Sequence, residues 1–75
     1  MKYREALARL QRFGVVEDKR RGKGSERLWI REAPPGSGKG PRTSVTCHGE
    51  GKDIATGTLR AALRRLGIDP TDFLD

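Results

Sequence analysis

Two apolar stripes with helical spacing stand at opposite ends of the 75-residue chain, and only short alternating runs broken by glycine and proline lie between them. Near the amino terminus the stripe is Tyr3, Leu7, Leu10 and Phe13, with Ala6 beside it, while Lys2, Arg4, Glu5, Arg9 and Arg12 take the opposite face. Gly14 follows directly as a left-handed stop. Near the carboxyl terminus Leu59, Ala62, Leu63 and Leu66 keep the i, i+3, i+4, i+7 spacing, which predicts a helix over 58–66 closed by Gly67. A last turn is expected behind it, with Asp69 as N-cap, Pro70 in the first helical position, and Phe73 and Leu74 as apolar anchors.

Three strands fit between the helices. Residues 15–20 open with two β-branched residues and read as the first; Gly22-Lys23-Gly24 then breaks the chain as a turn. Residues 25–32 read as the second. Side chains alternate along a strand, so Glu26, Leu28 and Ile30 share one face while Ser25, Arg27, Trp29 and Arg31 share the other. Residues 33–41, with three prolines and three glycines, cannot be regular structure and are expected to form a flexible connection, longer than the usual hairpin loop. Residues 42–48 read as the third strand, with Val45 and Cys47 inward. The order α-β-β-β-α predicts an α+β fold: one two-layer sandwich over 1–75, with both helices on one face of a three-stranded antiparallel sheet.

A chain this short buries only about 60% of its unfolded surface, so a large enclosed cofactor pocket is not expected. The single cysteine, Cys47, permits no internal disulfide and excludes a cysteine-rich zinc module. No apolar run approaches the roughly 20 residues that span a bilayer, and no continuous apolar region suggests a signal peptide. The expectation is a whole small cytoplasmic protein with no membrane association, no metal and no cofactor.

The charge balance, 16 Lys+Arg against 10 Asp+Glu, favours a polyanionic partner. Most of the surplus flanks the first turn, at Lys19, Arg20, Arg21, Lys23, Arg27 and Arg31. Such a cluster can lay its cations along successive phosphates, with Gly22 and Gly24 permitting close backbone approach. Trp29 either stacks on an unpaired base or covers the outer face of the sheet or a partner interface, the second being the preferred reading.

Catalytic motifs are sparse: there is no phosphate-binding glycine loop, no nucleophile elbow and no metal-ligand set. Cys47 reads as a small buried apolar residue. His48 is the only histidine and so the only side chain whose ordinary pKa suits acid–base work near neutrality, although a surface histidine at a strand end is the blander reading. Glu26, in the most basic part of the chain, is either an ion-pair partner of nearby arginines, the preferred reading, or a general base.

Several short motifs together carry a resemblance. Met1-Lys2-Tyr3-Arg4-Glu5, Phe13-Gly14, Lys23-Gly24-Ser25, Val45-Thr46-Cys47-His48, Gly51-Lys52-Asp53-Ile54, Gly57-Thr58-Leu59-Arg60 and Leu66-Gly67-Ile68 resemble, in this order and nearly end to end, the HicA (YcfA-like) family. The resemblance implies a double-stranded-RNA-binding-domain-like fold. It also implies metal-independent endoribonuclease (mRNA interferase) activity and a HicB-type antitoxin that covers the active site. On that reading the RNA-binding residues are Lys19, Arg20, Arg21, Lys23, Gly24, Ser25, Arg27, Trp29 and Arg31.

One position departs from the family. After lysine-glycine-serine the family carries its catalytic histidine; this chain carries Glu26. RNA cleavage needs a base for the 2′-hydroxyl proton, or to activate water, and an acid for the leaving oxygen. Three explanations stand: an inactivating substitution, which is preferred because an active interferase poisons its producing cell; a degenerate toxin; or Glu26 as base with Arg27 or Lys23 steadying the phosphate, His48 being a weaker candidate. Two further readings compete with the toxin: a non-catalytic RNA-binding module, and an interaction protein whose basic face meets an acidic antitoxin.

Overall fold

The structure is a computed structural model that describes residues 1–18 and 25–74. The chain runs α1 (Tyr3–Gln11), β1 (Val15–Asp18), β2 (Glu26–Arg31), β3 (Arg42–Thr46), α2 (Thr56–Arg65) and α3 (Pro70–Leu74). The strands form one antiparallel sheet in the order β1-β2-β3. This is the α-β-β-β-α layout of a double-stranded-RNA-binding-like sandwich, as the sequence predicts. Gly14 reverses the chain after α1 with φ of +83°, and α2 begins two residues earlier than its apolar stripe because Thr56 and Gly57 complete its first turn.

The two stripes bury as expected: Tyr3, Ala6 and Leu10 from α1, and Leu59, Ala62, Leu63 and Leu66 around α2, join one cluster with Val15, Val45, Cys47, Ile54 and Ile68. Phe73 enters that cluster, but Leu74 does not. It is 42% exposed, which corrects its expected anchoring role. α3 is too short to turn two adjacent side chains to the core, and Asp69 caps it by accepting the Thr71 N–H at 2.8 Å.

The larger correction concerns Trp29. It has no exposed surface and lies in the core, so it neither stacks on a base nor covers an outer face. The helices pack on the side of β2 that carries Arg27, Trp29 and Arg31, where Val15, Val45 and Cys47 also point. Tyr3 meets Trp29 there: the indole N–H donates to the Tyr3 hydroxyl at 2.9 Å, with ring centroids 5.6 Å apart. The sheet's other face carries Val16, Leu28, Ile30, Ser44 and Thr46. Of these Ile30 is buried outside the main cluster, beside the returning 33–41 segment.

Residues 33–41, expected to be slack, are tied back on themselves. The Glu32 carboxylate accepts the N–H groups of Gly36 and Gly38 at 3.1 and 2.8 Å, and Ala33 N–H donates to Lys39. Gly40, at φ +142°, lies so close to the Arg31 carbonyl that any Cβ there would collide with it. At the other end of the sheet the two separated motifs Met1–Arg4 and 50–54 meet. Tyr3 N–H donates to Lys52, Arg4 N–H to Glu50 and Ile54 N–H to Met1, around a Lys2–Asp53 bridge.

A candidate nucleic-acid surface at the start of β2

Glu26 opens β2 and is exposed on the sheet face away from the helices, directly opposite Thr46 on β3. Its neighbour Ser25 pairs in the next register step, accepting the Cys47 N–H at 2.6 Å. His48 lies two residues beyond Thr46, so Glu26, Ser25 and His48 gather at one end of the sheet. The basic residues Lys19, Arg20, Arg21 and Lys23, together with Gly24, fall in the connection leading into this point and lie outside the described residues.

Arg27 and Arg31 do not join that cluster. Both sit on the helix side of β2, and both are engaged by the fold. Arg31 Nε donates to the Phe13 carbonyl at 3.1 Å, and its Nη1 donates to the carbonyls of Leu66 and Gly67 at 3.3 and 2.9 Å. One guanidinium therefore satisfies orphan carbonyls just past the ends of α1 and α2, where the helix dipoles favour a cation. Arg27 Nε stands 2.9 Å from the Glu17 carboxylate, whose side chain is only 5% exposed. The contact is an ion pair rather than a well-aligned hydrogen bond. The two arginines expected on the phosphate surface therefore both make contacts within the fold on the helix side of the sheet.

Glu17 carries no mark in the sequence, yet it is the pivot of a buried polar chain. Trp29 donates to Tyr3, the Glu17 charge acts on the Tyr3 phenol, and Glu17 pairs with Arg27. Burial raises the Tyr3 phenol far above its ordinary value, and the Glu17 charge adds to the shift. A charged residue on the inner face of a four-residue strand leaves no periodic signal; only the register against Trp29 reveals it.

Among the described residues, one concavity of about 660 Å³ lies along β1 and is lined in part by the acidic residues Asp18, Glu32 and Glu50, which suits it poorly to phosphate. Another, of about 250 Å³, is lined by Thr46, His48, Asp53, Ile54, Ala55 and Thr58. α2 starts on its rim with no side-chain cap at Ala55. No group of three or more His, Cys, Asp or Glu side chains that could hold a metal occurs among the described residues. No helix there is long and apolar enough to cross a membrane.

A small antiparallel sheet backed by helices on one face defines an α+β domain of the double-stranded-RNA-binding type. Comparison with protein families makes this more specific: the family described as "HicA toxin of bacterial toxin-antitoxin" matches residues 3–68. The chain belongs to the HicA toxin family, and it is the toxin of a toxin–antitoxin pair, with an antitoxin as its partner. Comparison with curated proteins and with solved structures gives no match.

Proposed function

We propose that the chain is an RNA-binding HicA-type toxin whose metal-independent endoribonuclease activity is impaired by Glu26, and that its target is mRNA in the cytoplasm. The observation that carries this reading is the position of Glu26: exposed at the first residue of β2, on the sheet face away from the helices, two residues after the basic 19–24 segment in sequence. The family's histidine belongs there, within reach of an RNA backbone lying across that end of the sheet.

The chemistry explains the impairment. A histidine at this point takes the 2′-hydroxyl proton as neutral imidazole and returns a proton to the leaving oxygen as imidazolium, both near pH 7. A carboxylate in the same place adds negative charge beside the scissile phosphate and has no second ring nitrogen to share between the two roles. Lys19, Arg20, Arg21 and Lys23 supply phosphate contacts, with Gly24 and Ser25 allowing close approach. Arg27, Trp29 and Arg31 act only by holding the β2 scaffold. His48 stands at the same end of the sheet as Glu26, beyond Thr46, and contributes to RNA contact rather than to the first proton transfer.

Binding of single-stranded RNA by the chain as it stands, measured by fluorescence anisotropy at rising salt, tests the reading. Affinity that falls linearly on a log–log salt plot supports it. Absence of binding at low salt contradicts it and leaves a basic surface made only to meet the antitoxin.

A further inference from the structure

β3 is a terminal strand of the sheet, so one of its edges has no strand beside it. The register fixes which groups point there. Cys47 N–H donates to Ser25 and Arg31 N–H donates to Pro41. Val45 and Thr43, which fall between those bonds in step with them, therefore turn their backbone groups toward β2. Arg42, Ser44 and Thr46 consequently turn theirs outward, to the free edge. Natural proteins usually guard such an edge with lysines, a bulge or a covering segment. Here Pro41 and Arg42 guard one end only, and Ser44 and Thr46 are small, neutral and exposed.

The surroundings of this edge select a partner. α2 packs along β3 on the helix side, and Arg65 Nη1 reaches the Thr43 hydroxyl at 3.5 Å. Arg42 is exposed on the opposite face of the same strand, where one guanidinium nitrogen donates to the Gly38 carbonyl at 3.2 Å and the rest of the group faces solvent. Two guanidinium groups thus frame one end of the edge. At the other end Thr46 opens into the pocket lined by His48, Asp53, Ile54, Ala55 and Thr58, where the one carboxylate, Asp53, lies near the amino terminus of the chain and the apolar wall is Ile54 and Ala55. Donors and acceptors repeating at strand spacing match a peptide backbone, which rises about 3.3 Å per residue and pairs about 4.8 Å away. A phosphate chain, which offers acceptors only, leaves the outward carbonyls of such an edge without donors.

We propose that the groove between β3 and α2 receives an extended acidic segment of the antitoxin as a fourth strand. Its carboxylates meet Arg42 and Arg65, and one apolar side chain fills the pocket beside Ile54. Main-chain bonds provide affinity and the two ends provide register. The inference takes from the family only the existence of a protein partner, and it stands apart from the RNA reading.

The test uses a blocked octapeptide with three glutamates followed by alternating threonine and valine and a terminal leucine. A control copy is N-methylated at alternate residues. Ser44→Pro removes only an outward-facing N–H and no ladder bond, so the sheet is retained. Arg42→Glu is a second, milder variant. The expected result is saturable peptide binding that perturbs the amide signals of Arg42, Ser44 and Thr46 and slows hydrogen exchange at Ser44. Ser44→Pro, Arg42→Glu and peptide N-methylation each weaken peptide binding at least tenfold, while the uncharged change Ser44→Pro leaves RNA affinity unchanged. Failure of the peptide to bind overturns the proposal, as does binding indifferent to both Ser44→Pro and N-methylation. A parallel loss of RNA affinity in Ser44→Pro assigns the edge to nucleic acid instead. If the unaltered chain binds peptide but not RNA, the RNA reading fails and this one stands.

Discussion

Tyr3, the third residue of the chain, and Trp29, in the middle of its central strand, are joined by an indole N–H donating to a phenol oxygen at 2.9 Å inside the core. The bond fixes α1 to β2 across a separation of 26 residues. Beside it, Glu17 of β1 pairs with Arg27 of β2, so the base of the β1–β2 hairpin is held from within. That hairpin presents position 26.

Tyr3→Phe keeps the ring and removes the oxygen, leaving the buried indole N–H of Trp29 without its acceptor. The expected loss is about 1–3 kcal/mol. Urea unfolding followed by the fluorescence of the single tryptophan measures it; an unchanged midpoint contradicts the network.

The same phenol predicts an alkaline limit. Its pKa is raised in the folded state, so the unfolded chain loses this proton first. The stabilisation from neutral Tyr3 is complete below its ordinary value of 10.0 and is lost progressively as pH rises above it toward the folded value. Stability measured from pH 8 to about pH 11 should fall more steeply in the unaltered protein than in Tyr3→Phe. Equal slopes in the two proteins would mean that the phenol titrates alike folded and unfolded.

Arg31 separates a structural arginine from a nucleic-acid contact. Arg31→Ala strands the carbonyls of Phe13, Leu66 and Gly67 and should cost about 2 kcal/mol, since hydrogen bonds from a charged donor are the stronger kind. Arg31→Lys should recover little, because an ammonium cannot span both helix ends. RNA affinity below the unfolding transition should stay within twofold of the unaltered chain. A large affinity loss with stability intact would return Arg31 to the phosphate surface.

The helices, the strand order and most of the core are legible in the sequence because each rests on a periodicity: Leu59, Ala62, Leu63 and Leu66 mark a helix face whatever packs against it. The faces of β2 are not. Leu28 and Ile30 look like an inner face, and Arg27 and Arg31 like an outer one. The sheet is turned the other way because both guanidiniums find buried partners, Glu17 and the helix-end carbonyls, which lie 10 to 36 residues distant in sequence. Long-range pairing of that kind leaves no local pattern. The place of Trp29 escapes a local reading for the same reason, since its burial follows from that of its strand face. Position 26 is legible only through the family motif, and the exposed edge of β3 only through the register.

Replacing Arg20, Arg21 and Lys23 together by Ala should flatten the salt dependence of RNA affinity. For single strands the expected change is about 0.7 log units of slope for each phosphate no longer neutralised. Affinity measured at several salt concentrations reads it directly. An unchanged slope places the RNA surface away from the 19–24 connection.

The most direct test of the account is RNA cleavage by matched preparations of the chain and its Glu26→His variant, with EDTA present throughout. The account predicts that the histidine variant cuts single-stranded RNA, that the antitoxin suppresses this, and that the unaltered chain binds the same RNA with little or no cutting. Equal cleavage by both proteins, or binding without cleavage by both, would contradict the assignment of position 26 as the site of the missing base.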